Sequence, residues 1–456
     1  MSINKKPVGY LPDECPSFVE LILFALQQIV VMFPATVLVA LITGFHVSTT
    51  IFASGLATLC FILITGKKIP LYYGSSFSYI SAIASIMGAE QFSHLALNDK
   101  ISIAQFGIVM SGFISIIAGI LIQKTGRKTI DKILPPTVTG SIAIIIGLSL
   151  AANAMNDAAT YPSNLAVSQE GLAQSMAWVI AIITLVSTIL YSVYLKGRLS
   201  QLPILFGLFT GYIAALIIGK ITGIPFVVFD TIKADSFFNI PEFTFPKPSW
   251  AAIGAIMPIA IATIPESTAH VYQLDIYVND LAKKKGSEKR YNIADKLGLN
   301  LIGDGLGDII SGFIGGPAGT NYGENISTMA ISKVFSIPVL IAAAIITMVI
   351  SCFTPLINLV YSIPTAVIGG LSIYLFGVIA AQGITIMMDS KVDMFNSKNM
   401  AIIAIILIIG LGGSFGFEGN GMIPMFGVEF PAIATAAVAG IVFNLLLSIG
   451  TKKENE

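Results

Sequence analysis

Charge is scarce in this sequence. Charged residues make up 11% of its 456 positions, against about 25% in an ordinary soluble domain. Hydrophobic types make up 55%, with 42 glycines besides. So few polar side chains cannot cover a water-facing surface of this size. That excludes a soluble enzyme, a disordered chain and a nucleic-acid binder with a basic face. The formal net charge is zero, so the sum favours no partner. Cysteine is also scarce. Cys15, Cys60 and Cys352 lie far apart, suggest no disulfide framework or metal spacing, and read as small buried apolar residues. Motifs for chemistry are missing too: there is no P-loop, no H-E-x-x-H and no G-x-S-x-G. No catalytic residue, metal site or bound cofactor is expected, and no nucleotide-driven pump. About 18 mixed polar residues precede the first apolar run and no cleavage pattern follows it, so that run reads as a retained helix.

What the sequence does have is long apolar runs, with a mean hydropathy of +0.85. A helix crossing a bilayer needs roughly 17–25 mostly apolar residues. Such runs start near Val19, Thr49, Ile69, Ile103, Pro135, Trp178, Leu202, Trp250, Ala294, Tyr322, Pro338, Pro364, Asn399 and Pro431. This reading predicts an all-α polytopic membrane protein of about fourteen spans. The runs near Ile69 and Tyr322 are short and follow Gly/Ser-rich or Gly/Pro-rich approaches. With the N-terminus in the cytoplasm and alternating loops, only Lys100, Lys220, Lys233 and Lys247 of the 25 basic residues fall outside. That bias is what the positive-inside rule expects, and it puts both termini in the cytoplasm.

The chain also resembles itself. Tyr73-Gly74-Ser75-Ser76-Phe77-Ser78 matches Tyr322-Gly323-Glu324-Asn325-Ile326-Ser327. Pro135-Pro136-Thr137-Val138-Thr139-Gly140 matches Pro364-Thr365-Ala366-Val367-Ile368-Gly369. Both pairs are seven spans apart. Seven is odd, so the second copy is inverted, an arrangement that many secondary transporters use to build a site at mid-membrane. Spans 3 and 10 are then short half-helices meeting near the midplane, with free N–H groups and helix N-termini turned to a ligand. The plainer alternative is that Y-G-x-x-x-S packs two helices through a small residue.

A few ionisable residues lie where they are expensive. Glu266 falls within the apolar run from Trp250, and His270 is one turn later on the same face. Glu324 falls in short span 10. A charge at such depth costs at least about 2.5–3.5 kcal/mol, so each is a functional candidate. A structural Glu266–His270 pair is the competing reading. Asp304 and Asp308, at i and i+4 in Gly-rich span 9, are read as supporting residues that cap the broken span 10, orient Glu324 or line the cavity; cation binding is the alternative. His46, His94, Glu418 and Glu429 fall at or beside loops and read as solvated.

These stretches carry a resemblance. Glu266–His270, Asp304–Lys333 with Thr320-Asn321-Tyr322-Gly323-Glu324-Asn325-Ile326, and Gly369–Gly383 look like the nucleobase–ascorbate transporter family, also called nucleobase–cation symporters. In the first half, Lys68-Ile69-Pro70 and Gly74-Ser75-Ser76-Phe77 resemble it as well. The resemblance implies two inverted seven-span repeats divided into a core and a gate domain. The core would be residues 19–122 and 250–360, and the gate 123–249 and 361–450, between cytoplasmic tails 1–18 and 451–456. It implies that Glu266 and Glu324 accept hydrogen bonds from a base, that backbone at Phe77 and Gly323 contacts it with Tyr322 alongside, and that His270 joins the glutamates in proton coupling. Asp304, Asn325 and Ser76 would support these from behind. The implied activity is import of a nucleobase, most readily uracil, by proton symport in a bacterial plasma membrane. A homodimer through the gate is implied, and sodium in place of the proton stays open.

The chain departs from the family's uracil-carrying members at several points. It has Phe376 for a gate-side tyrosine, Gln28 for a histidine of span 1, Ser267 for a second histidine after Glu266, and acids at 304 and 308 where those members are neutral. Purine-carrying members have glutamine at the Glu324 position and aspartate at the His270 position, so the choices here are of the pyrimidine type. A uracil-like ring offers two N–H donors and two carbonyl acceptors, which two carboxylates and backbone N–H groups can pair. Phe77 or Tyr322 would stack on it. A purine symporter is the first alternative. An inorganic or carboxylate anion transporter is a second, which paired glutamates disfavour, and a channel or receptor is a third.

Overall fold

The computed structural model describes residues 9–126, 132–163, 165–228, 236–417, 421–425 and 428–450. The outermost parts of both expected tails, Lys233 and Glu418 therefore lie outside the described residues. The chain is almost wholly helical. Its elements in order are α1 (Phe18–Thr43), α2 (Val47–Ile64), β1 (Tyr73–Ser75), α3 (Ile80–Gly88), α4 (Leu97–Thr125), α5 (Pro136–Ser149), α6 (Ala151–Ala159), α7 (Val167–Tyr194), α8 (Pro203–Thr222), α9 (Trp250–Ile256) and α10 (Ala260–Lys284). There follow α11 (Leu297–Ile314), β2 (Gly319–Asn321), α12 (Gly323–Ser332), α13 (Ile337–Ile350), α14 (Thr354–Tyr361), α15 (Thr365–Asp389), α16 (Ser397–Phe415), β3 (Met422–Met425), β4 (Val428–Pro431) and α17 (Ala432–Gly450).

Among the described residues, eleven helices are long and apolar enough to cross a bilayer. The runs read near Ile69, Tyr322 and Pro338 fall on shorter helices: Phe77–Gly88, Gly323–Ser332 and Ile337–Ile350. The protein is an integral membrane protein. Large apolar side chains such as Ile182, Ile213, Ile408 and Leu446 are exposed on the outside of the bundle, where hydrocarbon replaces water as solvent.

Local chemistry sets the helix ends. Ser17 and Glu20 form a capping box on α1, and Gly44 ends it in the left-handed region at φ 75°. Proline stands at the start of α5 and α8, where the missing N–H costs nothing. Between helices, glycine sets the spacing. A Cβ on Gly112 of α4 would collide with the Gly305 carbonyl of α11, and one on Gly305 with the Gly112 carbonyl. Gly140 of α5 and Gly383 of α15 stand in the same mutual relation. Such crossings bring backbones together where no hydrophobic effect drives helices out of lipid.

Two connections are lashed to the bundle. Gly9–Ser17 pairs with the start of α13, through Tyr10 N–H to Lys333 O (2.8 Å) and Phe335 N–H to Tyr10 O (2.8 Å). It is also tied by Lys285 to Glu14 (2.5 Å) and Lys289 to Asp13 (2.6 Å). Residues 236–249 lie along the opposite end. There Glu242 accepts from Asn98 (2.6 Å), Thr244 bonds Gln105 (2.8 Å), and Phe238 bridges to Phe353. His46 is half-buried in this second lashing, 2.7 Å from Asn98 Oδ1, rather than free in a loop.

Candidate functional site

A two-stranded ribbon inside the bundle places the site. Tyr73 pairs with Asn321, Gly74 with Thr320 and Ser75 with Gly319, antiparallel. Tyr322 N–H to Tyr72 O (3.0 Å) and Ser76 N–H to Ala318 O (3.0 Å) extend it. Each strand then turns into a short helix. Ser76 caps the turn Phe77–Tyr79 that leads into α3, its hydroxyl accepting from Ser78 N–H. Tyr322 occupies the N-cap of α12, its side chain making no capping bond to that helix. Two helix N-termini, with their unpaired N–H groups, thus leave the ribbon in opposite directions within the protein. Ser76 and Tyr322 are equivalent as caps, so the ribbon runs three residues out of register with the sequence match of Tyr73 to Tyr322. Matching residue type aligned two tyrosines that occupy different places in their turns.

The expected residues collect at these N-termini. Glu324 is in the first turn of α12. Glu266 follows Pro265 in α10, beyond a 3-10 break at Met257–Ile259. Glu266 interacts electrostatically with Glu324 and Asp304, and lies within hydrogen-bonding reach of Ser78. Both glutamates, Phe77 and His270 are half-buried. The His270 ring bonds the backbone of Asn321, and its Nδ1 is buried without a partner. His270 Nε2 is 2.9 Å from where a Cβ on residue 323 would stand, so glycine there lets α12 begin against the imidazole.

Behind this surface is a fully buried polar layer. Asp304 Oδ2 accepts from the Ser267 hydroxyl and from Asn300 Nδ2 (3.1 Å), and Oδ1 from Asn321 Nδ2 (2.8 Å). Asp308 Oδ1 accepts from the Tyr73 hydroxyl (2.5 Å) and from Gly319 N–H (2.8 Å). Asp308 therefore clamps both strands of the ribbon. Asn325 Nδ2 donates to Gln28 O (3.0 Å) and Oε1 (2.8 Å), fixing α12 against α1. The Tyr322 hydroxyl donates to Ser75 O (2.9 Å) and shares a bond with Thr36 (3.0 Å). Tyr322 is only 4% exposed, so its ring is a wall behind the site, while Phe77 is half-buried. No group of three or more His, Cys, Asp or Glu among the described residues is arranged to hold a metal.

The sequence reading passed over Asn300 and the roles of Ser267, Asn321 and Gln28. The signal was available: amides and a hydroxyl within apolar spans must find partners when buried. Which partners they find depends on how spans 1, 8, 9 and 10 cross.

Residues 19–419 match the Permease family, the nucleobase–ascorbate transporters. The chain belongs to this family. Among relatives of this permease, the uracil permease of Bacillus caldolyticus is 34% identical over 454 residues, covering 97% of this chain and 95% of the relative. The uracil permease of Escherichia coli (strain K12) is 32% identical over 449 residues, covering 98% and 95%. Among solved structures, the murine Solute Carrier 26 family member A9 anion transporter in the inward-facing state superposes with a TM-score of 0.64 at 12% identity, covering 96% of this chain and 69% of that one. The transmembrane domain of the cyanobacterial bicarbonate transporter BicA gives 0.59 at 13% identity, covering 95% and 99%. At such identities the permease shares a fold with these anion transporters and nothing more.

Proposed function

We propose that the chain is a secondary active transporter that imports a nucleobase, uracil first among them, by proton symport with alternating access. The carrying observation is that Glu324, in the first turn of α12, interacts electrostatically with Glu266, which is within reach of Ser78 at the start of the other short helix. Carboxylates accept from the two ring N–H groups and backbone N–H groups donate to the two carbonyls, so the whole hydrogen-bonding edge is paired. Leaving one buried group unpaired costs about 1–3 kcal/mol, which supplies selectivity. Phe77 stacks on the ring face. Two carboxylates in one enclosed site repel each other, and a proton taken up with the base relieves that repulsion. His270, beside Gly323 and one turn from Glu266, takes part in the transfer. An anion would meet two glutamates of its own sign, which argues against cargo like that of the anion transporters sharing the fold. The names of the uracil permeases above support a pyrimidine.

The fourteen-span inverted repeat belongs to this reading, and the packing supports it. Counting spans from α1, the most closely packed pairs have counterparts seven spans on. Spans 4 and 9 (α4, α11) answer spans 11 and 2 (α13, α2). Spans 6 and 7 (α7, α8) answer spans 13 and 14 (α16, α17). Spans 3 and 10 meet each other through the ribbon, and spans 5 and 12 (α5, α15) at Gly147 and Phe376. Core residues 19–122 and 250–360 then move against gate residues 123–249 and 361–450. The gate supplies a homodimer contact, and both termini face the cytoplasm of a bacterium.

Glu266→Gln tests the site: labelled uracil uptake into cells should fall to background while the protein still inserts and purifies as a folded species. Normal accumulation by that variant would refute the assignment. His270→Ala should shift the pH profile of uptake, and collapse of accumulation by a proton uncoupler checks the coupling ion.

A further inference from the structure

A second cavity, of about 720 Å³, lies away from the glutamates. It is within the size range of small-molecule sites, about 300–1,000 Å³. Ser81, Ser85 and Gln91 line it from α3 and the loop beyond, and Ser149, Asn153 and Ser414 from the α5–α6 and α16 side. Ala255 and Ile259 form part of its wall, and Ile259 is two helical turns before Glu266. Ser81 likewise stands one turn beyond Ser78, which reaches Glu266. Two helical stripes therefore run from the glutamates into this cavity. Glu90 and Glu429 of the β3–β4 hairpin are also among its lining residues, beside loops that the basic-residue distribution puts outside.

Ser85, Ser149 and Ser414 donate to carbonyls of their own helices (2.8, 2.9 and 2.7 Å), which leaves their oxygens free to accept. The Ser81 oxygen is buried and has no partner. Asn153, exposed on α6, can both donate and accept. Among the described residues no basic side chain lines the cavity, and the two charged ones are acidic, so anions are repelled. A neutral, flat molecule carrying both N–H and C=O groups satisfies this wall.

We propose that this cavity is an outer capture subsite, in which a neutral nucleobase is hydrogen-bonded by Ser81 and Asn153 before it passes inward to Glu266 and Glu324. The inference rests on the nucleobase reading of the central site and adds a second, weaker station on its outer side. Introducing Gln91→Cys tests it, since Gln91 lines the cavity, is exposed and is neither of the two proposed binding groups. Membrane-impermeant maleimide applied to intact cells should label this cysteine, with the wild-type protein and its own three cysteines as the blank. Millimolar uracil should slow the labelling by about threefold or more, and should do so equally when Glu266→Gln disables the central site. Adding Ser81→Ala should remove that protection. Labelling that uracil leaves unchanged, protection that vanishes with Glu266→Gln alone, or labelling only after permeabilisation overturns the subsite while leaving the transport reading standing. Absence of uracil uptake by the wild-type protein overturns both.

Discussion

The two strand-and-helix units that meet in the ribbon do the same structural job with different chemistry. The first, Tyr73–Ser75 running into Phe77 and α3, is uncharged. Ser76 caps it, and Phe77 is half-buried beside the cap. The second, Gly319–Asn321 running into α12, carries Glu324 in its first turn, Asn325 tied to Gln28, and a glycine pressed against His270. The buried acids sit behind both but lean on the second, with Asp304 holding Asn321 and Asp308 holding Gly319 as well as Tyr73. Symmetry of backbone with asymmetry of side chain gives one half an aromatic ring and the other a carboxylate at the start of its helix.

That contrast can be broken at the shared clamp. Asp308→Ala strands the Tyr73 hydroxyl and the Gly319 N–H in a dry interior, at about 1–3 kcal/mol each. It should cause the largest loss, read as a fall in the thermal midpoint of the purified protein, and a midpoint equal to wild type would show that the ribbon does not depend on it. Glu324→Gln should leave the midpoint nearly unchanged and weaken uracil binding about 10–150-fold, the worth of a charged hydrogen bond, measured by calorimetry. Phe77→Ala, on the uncharged side, should cost about 1–3 kcal/mol of stacking with the pH profile of uptake unaltered. If it moves the pH profile as Glu324→Gln does, the division of labour is wrong.

The smallest effect lies at the N-terminal lashing, outside the membrane. Burial raises the Asp13 carboxyl, but hydrogen bonds from Lys289 and Tyr291 outweigh it and hold the group below its ordinary value of 3.8. A group depressed in the folded state stabilises above its unfolded pKa and loses that contribution as the pH falls through the folded value. Asp13→Asn should therefore lower the thermal midpoint slightly at neutral pH, with the gap to wild type closing below pH 3.8. A gap that widens in acid would reverse the sign of this linkage.

Much of this was legible before any coordinates. Glu266, His270 and Glu324 stand out because a charge within a long apolar run is costly enough to need a reason. The short runs near Ile69 and Tyr322 betray themselves by the glycines and prolines around them. The register of the ribbon was not legible, because Tyr73 and Tyr322 match by type while Ser76 and Tyr322 are the residues that cap the two short helices. Nor was the burial of Tyr322, since a sequence says an aromatic is present but not which face its neighbours cover.

By itself the sequence determined that the chain lives in a bilayer, where its helices lie, and which few residues are too costly there to be incidental. It could do so because the price of placing charge and unpaired backbone in hydrocarbon is local and can be read residue by residue. The tertiary structure alone decided which of those residues share a space: Glu266 with Glu324, His270 with Gly323, Asp308 with both strands. These contacts join segments tens to hundreds of residues apart, and they are fixed by how closely glycine-lined helices cross, a property of pairs that no single stretch of chain encodes.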